Sequence, residues 1–297
     1  MTEISNLLAA EASASTQPWL WGRRIAAKLG RGLALGIVMV WSLGPITLIV
    51  LAALTPERDI FASGRSVLAW RPTLDNFVAL WVRWGDFFTG LTNSLIVTVG
   101  ATLFAVIVST LSGYGYSRWR SAFLARTAFA MIALRLLPPI VTTLPLFPIV
   151  NALKLNDTYA VLIILYAAFF VSLGTMVMKT FIDQIPRELD EVARMDGATH
   201  WQVARRVILP LSVHGMVSVA IFVAVFAWNE FLFAFIFTTR RAKTASLVMS
   251  EMMGSLDGVE WGVLFAATSL QLLPVLIFVV VCQRQLIEGL TAGATKG

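Results

Sequence analysis

The residues with chemistry to offer are concentrated in one polar run, which reads PRELDEVARMDGATHWQVARRVILPL from Pro186. Its carboxylates are Glu188, Asp190, Glu191 and Asp196. Such groups can act as acid and base, hold a cation, or pair with bases on another surface. Acid–base work needs carboxyl groups aimed at one reacting proton, and these follow another logic. Pro186 fits the first turn of a helix, where its missing N–H costs nothing. The acids Glu188, Asp190 and Glu191 fall where the helix dipole favours negative charge. Leu189, Val192 and Ala193 recur at i, i+3 and i+4 as one apolar stripe. The chemistry on offer is therefore docking: a greasy face with charge beside it. Elsewhere His200 and His214 are too far apart in pattern to hold a metal, and Cys282, the one cysteine, excludes a disulfide framework or thiolate cluster within this chain.

The local sequence around the run defines a helical hairpin. Gly197 supplies a left-handed stop for the first arm. Thr199, with Gln202 three positions later, has the pattern of a capping box for the second. Trp201, Ala204, Val207 and Ile208 make the apolar side of that arm, and Pro210 ends or kinks it. An amphipathic hairpin of this kind needs a surface to cover it, either a partner protein or lipid headgroups. Lys179–Leu211 carries as many acids as bases, whereas anionic lipid favours a basic excess. Partner docking is the stronger reading.

The elements that must hold the hairpin are set by composition. Of 297 residues, 58% are hydrophobic and 13% charged, against about 45–50% and about 25% in soluble domains. A water-soluble enzyme and a disordered chain are both excluded. Apolar runs near the length that crosses a bilayer occur at Leu33–Leu54, Leu91–Tyr116, Thr127–Val150, Tyr159–Met178, Val213–Phe237 and Trp261–Cys282. The expected fold is an all-α membrane protein with about six transmembrane helices. Pro138, Pro139, Pro145 and Pro148 predict a kinked, protein-facing third span. Arg23, Arg24, Lys28 and Arg31 before the first span hold that end inside, which places both termini and the hairpin in the cytoplasm. Arg240, Arg241 and Lys243 run against this orientation. The net charge of +6 is what a membrane protein with basic inner loops shows, and nucleic acid is not an expected partner. Met1–Leu20 lacks the basic start of a signal peptide. The external segment Thr55–Gly90, with Trp70, Trp81 and Trp84, suits an interfacial belt on the outer leaflet.

Within the spans, Arg135, Asn229 and Glu230 are the polar exceptions, and intramembrane polar groups mark translocation paths or subunit contacts. At about 1.5 Å of rise per residue, Arg135 and Glu230 differ in depth by roughly 13 Å, so no direct pair is expected; Arg135 should instead meet carbonyls freed by Pro138 and Pro139. Gly100, Ala101, Ala105, Ser109, Ser112 and Gly113 form a small-residue surface for close helix packing. The aromatic residues Phe222, Phe226, Trp228 and Phe231 could stack on the rings of a solute, but a lipid-facing or core role is the commoner one for such a stripe.

The spacing Glu191-Val192-Ala193, three residues, Gly197, nine residues, Val207-Ile208-Leu209-Pro210 resembles the Glu-Ala-Ala signature of binding-protein-dependent ABC importer permeases. Val192 and Val207 depart from it by small apolar swaps. The runs Leu155–Tyr159, Ala227–Phe231 and Gly289–Gly297 are similar to the carbohydrate branch, in particular to six-span permease subunits of the maltose-transporter type. The resemblance implies a type I ABC importer transmembrane domain over 91–285. A first helix and external segment would occupy 31–90, with cytoplasmic tails at 1–30 and 286–297. It implies that Glu188, Leu189, Glu191, Val192, Ala193, Asp196, Gly197, Ala198, Leu209 and Pro210 couple the chain to a cytoplasmic ATPase, Glu191 pairing with a base there. The implied partners are a second homologous permease subunit, two copies of that ATPase and an extracytoplasmic sugar-binding protein. The chain has no phosphate-binding G-x-x-x-x-G-K-[ST] run, so ATP and Mg belong to the ATPase subunits and no cofactor is expected on this chain. Import of a sugar across the bacterial inner membrane by alternating access is the leading reading. A polyamine or other non-sugar solute is the alternative. A secondary transporter would need more intramembrane acids, and a membrane enzyme would need a nucleophile–base arrangement that is not evident.

Overall fold

The computed structural model describes residues 17–62, 71–256 and 258–294, and among these every regular element is helical. In chain order they are α1 (Gln17–Ala53), α2 (Glu57–Ile60), α3 (Asp75–Arg83), α4 (Asp86–Arg118), α5 (Ala122–Arg135), α6 (Pro139–Ala152) and α7 (Tyr159–Asp183). There follow α8 (Glu188–Met195), α9 (His200–Val203), α10 (Val213–Asn229), α11 (Leu232–Phe237), α12 (Ala245–Met253) and α13 (Trp261–Ala294). Four helices, within α1, α4, α7 and α13, are long and apolar enough to cross a membrane, and two bent pairs bring the total to as many as six. α1 begins at Gln17 and passes Pro45 unbroken. α13 likewise runs past Pro274 and on to Ala294.

Two of the expected spans are broken rather than continuous. The third is not one kinked helix: α5 and α6 meet at 102°. Pro139 forces its predecessor away from helical geometry, and Pro138 accordingly has φ −57° and ψ 137°. Nor is this pair protein-facing within the chain. α5 buries no residue and α6 only Thr143 and Val150. The fifth span stops at Asn229, and Glu230 is extended at φ −69° and ψ 133° before α11 begins. The Glu230 carboxylate accepts the N–H groups of Phe233 (3.0 Å) and Ala234 (3.4 Å), which caps the new helix in place of a continued ladder.

The centre of the bundle is the pairing of α4 with α7. A Cβ on Gly100 would lie 2.6 Å from Ile163, and one on Gly113 would lie 2.6 Å from the Met178 Cβ and 2.9 Å from the Lys179 nitrogen. The small residues of the second span thus do what their pattern predicts. Around this seam lie Ala105, Phe170, Met178, Ile182, Val203 and Ile208 at one end, and Tyr166, Phe233 and Phe237 farther along.

The opposite end is tied by polar groups. Glu57 accepts the N–H groups of Trp261 (2.8 Å) and Gly262 (2.5 Å) at the start of α13. The Asn76 side chain donates to the Ala53 and Thr55 carbonyls, each at 2.8 Å. α3 therefore buries Asn76 and Leu80 in a cluster with Ala53, Val248 and Val263, rather than only resting on lipid. Trp81 remains exposed and Trp84 half-buried, while Trp70 lies outside the described residues. Asp157, at φ 58°, accepts N–H groups from Thr239, Arg240, Arg241 and Ala242 at 3.0–3.2 Å. Burial pushes its pKa up, but these donors outweigh burial and hold the carboxyl at about 2.

Two outcomes follow from this packing. Gly113→Ala should lower stability by about 1–3 kcal/mol through overpacking, read as a fall in the unfolding midpoint of the purified protein. The depressed Asp157 pKa means that its stabilising contribution is complete above about 3.9, the unfolded value, and is lost as pH falls through about 2. Asp157→Asn at neutral pH should therefore raise amide exchange at 239–242 by roughly tenfold, measured by hydrogen–deuterium exchange.

Candidate functional site

The polar run forms the expected hairpin, and its local signals explain each feature. α8 starts at Glu188, with Arg187 as its cap. Pro186 sits just ahead, its carbonyl accepting the Leu189 N–H at 3.4 Å, so it precedes the first turn rather than occupying it. At the other end Gly197 adopts φ 85°. Its N–H donates to the Arg194 carbonyl and that of Ala198 to the Ala193 carbonyl, both at 3.0 Å; this is the paired closure that a left-handed glycine permits. The second arm opens with the predicted capping box: Thr199 N–H donates to Gln202 Oε1 (2.7 Å), and Gln202 N–H donates to Thr199 Oγ1 (3.3 Å). After α9 the chain winds through a π-helical turn, Ala204–Ile208. Leu209, half-buried, and Pro210, exposed, then lead into a 75° bend before α10.

The apolar stripe divides between two surfaces. Ala193 and Ala198 turn inward and pack with Val203, Ala204 and Ile208. Leu189 and Val192 stay 42% and 55% exposed, joined by Met195 at 85% and Trp201 at 60%. Ala193 is thus committed to the chain's own core, and Leu189 and Val192 alone of the predicted stripe remain free to dock. Glu188, Glu191 and Asp196 are exposed, and among the described residues the Glu191 carboxylate has no partner. Four uncovered large apolar side chains beside an unpaired acid make a surface suited to a groove with a basic rim.

The groups that hold this surface in place are ones the sequence pattern did not single out. Asp190 points the other way from Glu191 and meets Arg118 at the end of α4, with Nε to Oδ2 at 2.6 Å and both side chains largely buried. The same guanidinium donates from Nη1 to the Ile182 carbonyl (3.3 Å) and from Nη2 to the Ile185 carbonyl (3.1 Å). Arg187 donates to the Ser117 carbonyl (2.8 Å), and the Ser117 hydroxyl donates to Asp183 (2.7 Å). Trp119 packs against His200 of the second arm, with ring centroids 5.5 Å apart. Arg118 reads in sequence only as an orientation-setting charge. Its partner lies 72 positions away, beyond any local periodicity.

The intramembrane polar residues are placed separately from the hairpin. The Asn229 side chain donates to the carbonyl of Val225 on its own helix at 2.8 Å. Glu230 caps α11, and the nearby core holds the buried hydroxyl of Tyr166, which lacks hydrogen-bond geometry to any partner among the described residues. Arg135 makes no pair with Glu230 among the described residues, as depth required. It does not reach the carbonyls near Pro138 either. It lies over the Phe169 ring at 5.7 Å, with Nη1 buried and unpartnered among the described residues, and the Leu134 carbonyl accepts the Leu137 N–H instead at 3.2 Å. Among the described residues no cluster of His, Cys, Asp or Glu could hold a metal.

Comparison with known proteins assigns the architecture. Residues 101–290 match the family described as the binding-protein-dependent transport system inner membrane component. The chain is 32% identical over 264 residues to the trehalose transport system permease protein SugB of Mycobacterium tuberculosis, covering 88% of this chain and 95% of that one. It is 32% identical to the trehalose/maltose transport system permease protein MalG of Thermococcus litoralis, over 79% of this chain and 85% of the relative. Among solved structures, a chain of a bacterial ABC transporter involved in import of the acidic polysaccharide alginate superposes with a TM-score of 0.73 at 20% identity. That match covers 89% of this chain and 97% of the other. The helical fold is thus shared with a chain of that importer, and the chain belongs to the binding-protein-dependent family of ABC transporter permease subunits.

Proposed function

We propose that this permease carries a sugar, an oligosaccharide or disaccharide, inward across the bacterial inner membrane with both termini cytoplasmic. Relatives named for trehalose, maltose and diacetylchitobiose support the substrate class. The observation that carries the mechanism is the hairpin surface: Leu189, Val192, Met195 and Trp201 exposed on a rigidly capped scaffold, with Glu191 unpaired among the described residues. In a chain without a nucleotide-binding run, such a surface is where a separate ATPase subunit, holding ATP and Mg, would dock. ATP-driven closure of two such subunits would shift the permease pair between inward-open and outward-open populations. A solute-binding protein would deliver the sugar to the outer face; a periplasmic protein bound to an alginate pentasaccharide accompanies one solved neighbour.

Docking divides between the two kinds of contact. Burying the exposed side chains supplies affinity, and the Glu191 charge supplies register against a basic groove. Asp196 and Glu188 extend the acidic rim, and Gly197 allows the two arms to fold back without strain. Arg135, Asn229 and Glu230 remain candidates for the translocation path or for the contact with the second permease subunit.

Glu191→Lys should cut transport by roughly tenfold or more in proteoliposomes containing the full complex, with membrane insertion unchanged. Gly197→Val places a branched side chain at a positive φ, costing about 1–2 kcal/mol, and should weaken retention of the ATPase subunit on purification. Normal transport by both variants would remove the coupling assignment. The substrate class is checked by sugar-stimulated ATP hydrolysis of the same complex, screened with its binding protein present.

A further inference from the structure

The end of α4 grips both arms of the hairpin with consecutive residues. Arg118 holds the first arm through Asp190, and Trp119 holds the second through His200. The Arg118 side chain is 7% exposed and that of Asp190 14%, so solvent and salt screen this pair little. Among the described residues Asp190 Oδ1 is buried without a partner, which leaves the Arg118 contact there as the bond that fixes this carboxylate. The remaining guanidinium donors reach the Ile182 and Ile185 carbonyls, so one side chain joins α4, the end of α7, the turn after it and α8. Immediately inside, Gly113 brings α4 into backbone contact with Met178 and Lys179 of α7, and a close-packed seam transmits displacement instead of absorbing it. The opposite side of α8 carries the exposed Leu189 and Val192.

We propose that Arg118 is a positioning residue that transmits movement of the hairpin into the α4–α7 pair, a role separate from docking the ATPase; this rests on reading the hairpin as the docking element. A displacement of α8 is passed through Asp190 to the guanidinium and from there to two spanning helices at once. Without the guanidinium the hairpin keeps its own caps, at Gly197 and Thr199, and still presents its outer face. The motor then stays attached while its stroke is lost.

The test uses the complete transporter in proteoliposomes, reading solute transported per ATP hydrolysed together with ATPase subunit retained on purification. Arg118→Gln should keep the subunit bound and lower transport per ATP by about tenfold, equivalent to about 1.4 kcal/mol. Arg118→Lys, which keeps the charge but cannot span the four acceptors of the guanidinium, Asp190, the Ser117 hydroxyl and the Ile182 and Ile185 carbonyls, should fall between. Exchanging the pair as Arg118→Asp with Asp190→Arg should recover part of the loss. An unchanged ratio in Arg118→Gln or Arg118→Lys overturns the proposal, as does loss of the ATPase subunit in step with transport, which would make the pair a scaffold only. Glu191→Lys separates the two readings. If it releases the subunit while Arg118→Gln keeps a normal ratio, only the transmission role fails. If it leaves both readouts normal, the docking assignment fails.

Discussion

Where α4 and α7 run side by side, Gly100 and Gly113 remove the atoms that would otherwise hold the two backbones apart. In a bilayer, apolar burial between helices gains little over contact with lipid chains, so association depends on how closely surfaces fit. A seam built on glycine therefore sets the spacing to which other elements adjust. Phe170, Ile182 and Val203 pack around its hairpin end, and Val97, Leu162 and Phe237 pack along its other half. The polar ties at both ends of the bundle start from residues on these same two helices or next to them: Arg118 and Ser117 at the hairpin end, and Asn93, Ser94 and Asp157 at the opposite end.

Breaks in the remaining spans obey the rule that backbone groups at membrane depth must find partners. α5 and α6 are separated by a proline pair whose geometry cannot continue a helix. α10 and α11 are separated by Glu230, which spends its carboxylate on N–H groups that the interruption leaves free. The two breaks differ in kind. The first is enforced by covalent geometry, whereas the second depends on a side chain that supplies acceptors to the new helix.

Adjacent acids on α8 show how one turn of helix can serve two purposes. Consecutive residues point about 100° apart at 3.6 residues per turn, so Asp190 can face Arg118 while Glu191 faces outward. The inward acid is paired out of water, and the outward one is left for a partner. At the opposite end of the bundle Asp157 plays a comparable structural part with backbone donors instead of a guanidinium. There the rigidity produced is that of the loop carrying the exposed Arg240 and Arg241.

Local rules made much of this protein readable from its residues. Apolar run lengths announced a membrane bundle because the bilayer imposes a length. Gly197 and the Thr199–Gln202 pair announced the hairpin because left-handed closure and N-terminal capping are decided within a few residues. Small residues on the second span announced a close helix contact. Other features belong to the tertiary structure. The partition of the Leu189–Ala193 stripe between core and surface depends on which helices stand behind it. The 102° bend, the interruption at Glu230 and the placing of Arg135 on Phe169 depend on what each broken end meets. The Arg118–Asp190 pair joins residues far apart in the chain, and no periodicity encodes such a meeting. Sequence alone determines elements whose hydrogen bonds close nearby; only the folded bundle decides which charges become buried together, because burial is a property of everything that surrounds them.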